Sequence, residues 1–156
     1  MATGEGGRGG EGYSADRTLQ PALYAKRDVV LVRGEGALLY DADGREYVDV
    51  MSNYGVNILG HAHPDVTAAI SRQAGRLISG HQSFLNDVRA AFLEALVGIA
   101  PEGLESVFLS NSGTEAVEAA LKFARVATGR TRLVAARGGY HGRTLGALAA
   151  TADKKY

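Results

Sequence analysis

Hydrophobic positions change period several times along this chain, and each change marks an element. Asp28 to Arg33, Ala37 to Tyr40 and Glu46 to Val50 alternate or run apolar, which predicts three strands, the last two joined by an Asp43-Gly44 hairpin turn. Thr18 to Lys26 fits a short helix ahead of them. Pro64 opens a longer one, because Val66, Ile70, Ala74 and Leu77-Ile78 recur at helical spacing behind it. Asn86 to Ile99 gives another, with Val88, Ala91-Phe92, Ala95-Leu96 and Ile99 on one face and Pro101 closing it.

Beyond Pro101 the pattern turns to strand, turn, helix, strand. Ser106-Val107-Phe108-Leu109 is a short apolar run of the kind that makes a buried strand. Ala116, Ala119, Ala120, Phe123, Ala124 and Ala127 then follow at helical spacing, and Arg132 to Ala136 reads as a second buried strand. The alternation predicts an α/β fold.

The two loops that follow these strands carry the candidate chemistry. In the first, Ser112-Gly113-Thr114 stands where the leading N–H groups of a helix lack intrahelical partners and the helix dipole is positive, so a phosphate can bind there, with Gly113 allowing close approach to the main chain. Ser112 with Glu115 three residues on is also a capping box, which needs no ligand. Tyr140-His141-Gly142-Arg143 follows the second strand, and in an open α/β sheet both loops face a crevice beyond the carboxyl ends of the strands. Taken singly, Tyr140 also fits a surface aromatic, His141 a satisfied loop histidine and Arg143 a solvated charge.

The run from Asn111 to Arg125, followed by Tyr140-His141-Gly142-Arg143-Thr144-Leu145-Gly146-Ala147-Leu148, resembles the class III pyridoxal-phosphate-dependent aminotransferases. Upstream, Val32-Arg33-Gly34-Glu35-Gly36 before Tyr40-Asp41-Ala42-Asp43-Gly44, and Gly55-Val56-Asn57-Ile58-Leu59-Gly60-His61-Ala62-His63-Pro64, resemble the N-terminal segment of that family. The resemblance spans roughly Leu19 to Tyr156. Within the family it is similar to the acetylornithine and carrier-linked lysine aminotransferases of arginine and lysine biosynthesis, with 4-aminobutyrate or ornithine transaminases and glutamate-semialdehyde aminomutases as rivals.

The resemblance implies a fold and a set of roles. The fold is α/β, the N-terminal part of a fold type I pyridoxal-phosphate enzyme, with a small β-subdomain leading into the sheet of the large domain. Ser112, Gly113 and Thr114 match positions that hold the cofactor phosphate, and Tyr140 the aromatic stacked on the pyridine ring. Arg143 matches the arginine that receives the α-carboxylate of an ornithine-like donor, a task suited to a two-pronged guanidinium. Tyr24 matches a contact to the substrate carboxylate, and Tyr54 one to the substrate side chain. The reaction implied moves the terminal amine of acetylornithine or a blocked lysine to 2-oxoglutarate through pyridoxal 5'-phosphate, in a homodimer, and the composition, with no signal-peptide core, adds the expectation of a cytoplasmic location.

Two groups the family needs are expected beyond Tyr156: the imine-forming lysine and a carboxylate beside the pyridine nitrogen. Lys26, Lys122, Lys154 and Lys155 are the lysines present, and none stands in the context of the imine-forming one. The 156 residues are therefore expected to be the N-terminal part of an enzyme and inactive alone. A non-catalytic α/β module that binds a phosphorylated ligand at Gly113–Thr114 is the alternative from another class.

Composition narrows the partners. With 17 basic against 17 acidic residues, the chain has no electrostatic footprint for nucleic acid or an anionic membrane. The absence of cysteine excludes a disulfide or thiolate framework, and no apolar run approaches a membrane span. Residues 1–16, rich in Gly and polar, are expected to be a mobile tail, 17–63 a small-subdomain segment and 64–156 the incomplete start of a large cofactor-binding domain. Gly4-Glu5-Gly6-Gly7-Arg8-Gly9 in that tail matches a dinucleotide fingerprint in letters only, since no strand precedes it and no helix follows. His61 and His63 are read as loop residues rather than metal ligands, because no third ligand lies near them in sequence.

Overall fold

The computed structural model describes residues 13–152, and the tail expected at 1–16 together with its fingerprint match falls largely outside them. The chain divides into two units, one ending at His81 and the other beginning at Gln82.

The first described helix, α1, is Ser14–Thr18, earlier than the helix expected at Thr18 to Lys26. Pro21 explains the shift: it removes an N–H and biases the residue before it away from helical geometry, so the turn of helix lies upstream of it. Three antiparallel strands follow, β1 Leu31–Glu35, β2 Leu38–Asp41 and β3 Glu46–Val48, in the order β1-β2-β3. Tyr40 pairs with Arg33 on one side and Glu46 on the other, and the Arg33 guanidinium lies 3.6 Å from the centre of the Tyr40 ring. Asp41 fastens the turn that follows. Its Oδ1 accepts from the N–H groups of Asp43 at 3.0 Å and Arg45 at 2.8 Å, while its Oδ2 accepts from the Tyr47 hydroxyl at 2.7 Å.

Past β3, the turn α2, Ser52–Gly55, is left-handed. Ser52, Asn53 and Tyr54 have φ of 48°, 50° and 61°. Left-handed geometry costs an L-residue about 1–2 kcal/mol, so three in succession need a scaffold. Asp49 supplies it: Oδ1 accepts from the N–H groups of Met51 and Ser52, and Oδ2 lies 2.8 Å from His61 Nε2. Asn57 Nδ2 stands 3.0 Å from the other ring nitrogen of His61, and the Ser52 hydroxyl donates to the Asn57 carbonyl at 2.7 Å. His61 also exchanges both backbone hydrogen bonds with Gly36, so its loop is stitched to the small sheet. Helix α3, Pro64–Ala74, begins as expected at Pro64 but stops before Leu77-Ile78, where Gly75 takes the C-cap.

In the second unit α4 runs Asp87–Ile99. Its Asn86 cap accepts from the Arg89 N–H, and Ala100 before Pro101 is extended, as the residue before a proline prefers. Helix α5, Gly113–Thr128, is capped by Ser112 and closed by Gly129 in the left-handed region. Helix α6 is Leu145–Ala150. Ala119 of α5 and Ala147 and Ala150 of α6 are buried.

The two apolar runs expected as strands, Ser106 to Leu109 and Arg132 to Ala136, are unpaired. A strand exists through a ladder of hydrogen bonds to a neighbouring strand, and neither run has one among the described residues; the Ala136 carbonyl accepts only from the Gly139 N–H, at 3.1 Å, within a turn. Phe108 instead meets Phe123 of α5 edge-to-face, ring centres 5.5 Å apart. Val134 is 96% exposed and Phe108 61%, so at these positions apolar surface that a sheet would bury is uncovered.

Candidate phosphate and cofactor site

The site is built at the start of α5. Ser112 is extended at φ −149°, ψ 160°, and its hydroxyl accepts from the Glu115 N–H at 3.3 Å. Glu115 folds back: its Oε2 accepts from the Asn111 N–H at 2.8 Å and from the Ser112 hydroxyl at 3.1 Å. Its carboxyl is held below the ordinary glutamate range, first by the Ser112 hydroxyl and further by the Asn111 N–H. The capping box is therefore real, and it also turns the first-turn carboxylate back over the chain N-terminal to the helix.

A cap of this kind does not use up the helix end. Glu115 N–H goes to Ser112 Oγ and Ala116 N–H to the Ser112 carbonyl, whereas no described partner engages the N–H of Gly113 or Thr114. Two donors at the positive end of a 16-residue helix are thus left for an anion. A methyl group on Gly113 would meet nothing within 4 Å, so the approach to those donors is open. Beside the same turn lies a groove of about 440 Å³ lined by Phe108, Ser110, Asn111, Glu115, Glu118 and Lys122.

The second loop is brought against the first. The hydroxyls of Thr114 and Thr144 are 2.8 Å apart, and Gly142 is packed so closely on Thr114 that a Cβ there would lie 2.6 Å from Thr114 Cβ. Gly142 has φ +129°, a conformation open to glycine and strained for other residues. Tyr140 and Arg143 stand on the same loop, and Tyr140 is 59% exposed.

Glu118 is the residue that motif reading missed. From the second turn of α5, its Oε1 accepts from the Thr144 hydroxyl at 2.6 Å and from the N–H groups of Gly146 at 2.8 Å and Ala147 at 3.1 Å. These bonds, the Thr144 hydroxyl first, hold its carboxyl below the ordinary glutamate range. A signal existed in the sequence: Thr114 and Glu118 are four apart and so share one face of the helix.

Tyr24 and Tyr54 belong to the first unit, and both are exposed, at 55% and 86%. Tyr24 follows α1 in irregular chain, while Tyr54 is carried by the left-handed turn α2. His61 is engaged by Asp49 and Asn57 as described above, and among the described residues no cluster of three or more His, Cys, Asp or Glu is arranged to hold a metal ion.

A strand-less turn, a helix with two spare donors, an aromatic and an arginine on an adjoining loop form a distinctive order along the chain. The family model for class III aminotransferases matches residues 21–156. This chain belongs to that family. It is 52% identical over 143 residues to a [LysW]-aminoadipate semialdehyde transaminase of Deinococcus radiodurans, covering 92% of this chain and 33% of that protein. It is 47% identical to an acetylornithine aminotransferase of Methanopyrus kandleri, covering 82% of this chain and 33% of that one. The chain thus spans about a third of the length of the curated relatives it matches. Among solved structures, taurine:2-oxoglutarate aminotransferase from Bifidobacterium kashiwanohense, in complex with PLP and glutamate, superposes with a TM-score of 0.83 at 27% identity over 90% of this chain and 32% of that one. The fold class is that of these α/β pyridoxal-phosphate-dependent aminotransferases, and pyridoxal 5'-phosphate is the cofactor the family uses.

The residues present fit that cofactor. Two unpartnered N–H groups and an open Gly113 suit its phosphate, and a largely exposed aromatic on the adjoining loop suits its ring. Among the described residues no helix is long and apolar enough to cross a membrane.

Proposed function

We propose that these residues are the N-terminal part of an aminotransferase that moves the terminal amine of an acetylornithine-like or carrier-linked lysine-like donor to 2-oxoglutarate. The observation that carries the reading is the pair of spare N–H donors at Gly113 and Thr114, held by the 2.8 Å Thr114–Thr144 contact beside the loop bearing Tyr140 and Arg143. The named activities of the Deinococcus and Methanopyrus relatives support the choice of donor and a place in lysine or arginine biosynthesis. Residues 17–63 are assigned to a small subdomain and 64–156 to the start of the large domain. Exposed apolar runs such as that around Val134 support a longer polypeptide that covers them. Homodimerisation and a cytoplasmic location belong to the same proposal.

When bound, pyridoxal phosphate supplies an electron sink for the carbon that bears the transferred amine. The chain's own residues bind and orient. Gly113 and Thr114 donate their N–H groups to the phosphate at the positive helix end, with the Ser112 turn shaping the approach. Tyr140 stacks on the ring, which adds about 0.5–1.5 kcal/mol beyond area burial. Arg143 grips the donor's α-carboxylate through two parallel hydrogen bonds, so that the far end of the donor, with its terminal amine, is the end presented for reaction. Tyr24 is assigned to the substrate carboxylate and Tyr54 to the substrate side chain. The lysine that moves the proton is assigned to sequence outside these residues.

The test is direct. The full-length protein, given pyridoxal phosphate, acetylornithine or a carrier-linked lysine, and 2-oxoglutarate, should form glutamate. A full-length protein that takes up no pyridoxal phosphate, or forms no glutamate from either donor, sinks the reading.

A further inference from the structure

Thr144 is the N-cap residue of α6, yet its side chain makes no capping bond to its own helix. Its hydroxyl proton goes instead to Glu118 Oε1, 26 residues earlier on α5. The same carboxylate oxygen then takes the N–H groups of Gly146 and Ala147, donors that an N-cap side chain ordinarily satisfies from within its own segment. The cap of α6 is thus supplied by another helix. Because Thr144 has only one hydroxyl proton and spends it on Glu118, the proton in the 2.8 Å Thr114–Thr144 contact comes from Thr114. A directed chain results, from Thr114 to Thr144 to Glu118, with both ends on one face of α5. Gly146 is packed against the carboxylate so closely that a Cβ there would stand 2.9 Å from Glu118 Cδ.

We propose that Glu118 is a positioning residue of the cofactor pocket: it clamps the Tyr140–Thr144 loop to the phosphate turn by acting as the borrowed cap of α6. The inference rests on the pyridoxal-phosphate reading given above. Glu118 itself touches neither phosphate nor ring in this scheme. It sets the distance between the two groups that do, Gly113–Thr114 and Tyr140, and so favours a ligand that is a phosphate and a flat ring joined at fixed spacing. Inorganic phosphate, which uses the turn alone, does not need the clamp. The charge matters as well as the shape, since a carboxylate accepts three donors on one oxygen better than a neutral amide does.

The full-length protein with Glu118→Ala, Glu118→Gln and Thr144→Val tests this by three readouts: the equilibrium Kd for pyridoxal phosphate from absorbance titration, the Kd for inorganic phosphate by competition, and hydrogen exchange at the Gly146 and Ala147 amides in cofactor-free protein. Glu118→Ala is expected to weaken pyridoxal phosphate by about tenfold or more while inorganic phosphate changes less than about threefold. Glu118→Gln should recover part of that loss, and exchange at the two amides should quicken by about tenfold in Glu118→Ala. If Glu118→Ala does not fold, Glu118→Gln and Thr144→Val decide, each expected to weaken the cofactor more than phosphate. Wild-type Kd values and wild-type exchange in the folded variants overturn the proposal, as does an equal loss for cofactor and phosphate. A wild-type protein that takes up no pyridoxal phosphate overturns the cofactor reading instead, and the exchange rates then decide the clamp alone: faster exchange sustains it and unchanged exchange removes it.

Discussion

The Tyr47 hydroxyl donates to Oδ2 of Asp41 across 2.7 Å, and Asp41 is 5% exposed in the turn it holds. One bond moves two titrations in opposite directions. Asp41 is drawn below the ordinary aspartate range, first by Tyr47, and Tyr47 is pushed above the ordinary tyrosine range, first by Asp41.

The sign of the pH dependence follows. A depressed aspartate stabilises the fold above its unfolded value, and that contribution is lost as pH falls through the folded one. A raised tyrosine stabilises it below its unfolded value, and that contribution is lost as pH rises through the folded one. The expected outcome is that wild type exceeds Tyr47→Phe in urea midpoint across neutral pH, with the gap closing in strong acid and again in strong alkali. A gap that is constant across the whole range would remove the bond from the account.

Ser112→Ala should cost about 1 kcal/mol of stability, since it deletes the acceptor for the Glu115 N–H. Ser112→Gly should cost only a few tenths, because a bare cap position lets water reach the same donor. Chemical denaturation of the two variants side by side checks the order, and equal losses would mean that the hydroxyl is not the cap.

Tyr140→Phe is expected to keep pyridoxal phosphate affinity within about twofold, and Tyr140→Ala to lower it by about tenfold or more, since it removes the stacking and the ring's buried area together. Absorbance titration of cofactor into the apoprotein separates the two. A loss in Tyr140→Phe as large as in Tyr140→Ala would assign the contribution to the hydroxyl and not to the ring.

For Arg143→Lys the donor KM should rise by about tenfold or more with cofactor affinity unchanged, because an ammonium is a point charge and cannot reproduce a paired grip on a carboxylate. Steady-state kinetics with acetylornithine reads the first quantity and absorbance titration the second. An unchanged donor KM would take Arg143 out of the substrate site.

How legible these features were in the sequence depends on which force shaped each. Helices α3 to α5 could be read because their starts carry local chemistry, Pro64, Asn86 and Ser112, that the chain supplies to itself. Ser106 to Leu109 and Arg132 to Ala136 could not be read as paired strands, since apolar periodicity reports a wish to be buried and says nothing of whether a neighbour is at hand. Pro21 was visible all along, and its exclusion from a helix interior accounts for the displaced α1.

The proposed site is legible in its motifs and opaque in its frame. Gly113, Thr114, Tyr140 and Arg143 stand in motifs whose residue types announce anion, ring and carboxylate chemistry. Glu118 stands on a helix face where a glutamate is ordinary, and only the folded chain reveals that its three donors come from residues 144 to 147. The left-handed run of Ser52, Asn53 and Tyr54 was hidden for a similar reason, as it is imposed by Asp49, Asn57 and His61 from outside the turn.

Gly142 and Gly146 give the loop a manufacturing tolerance smaller than one methyl group. At either position the smallest possible branch would collide with the helix opposite, with Thr114 in one case and Glu118 in the other. A side chain added at either glycine therefore resets the gap between loop and helix, and a change meant to keep that gap has to be made elsewhere on the loop.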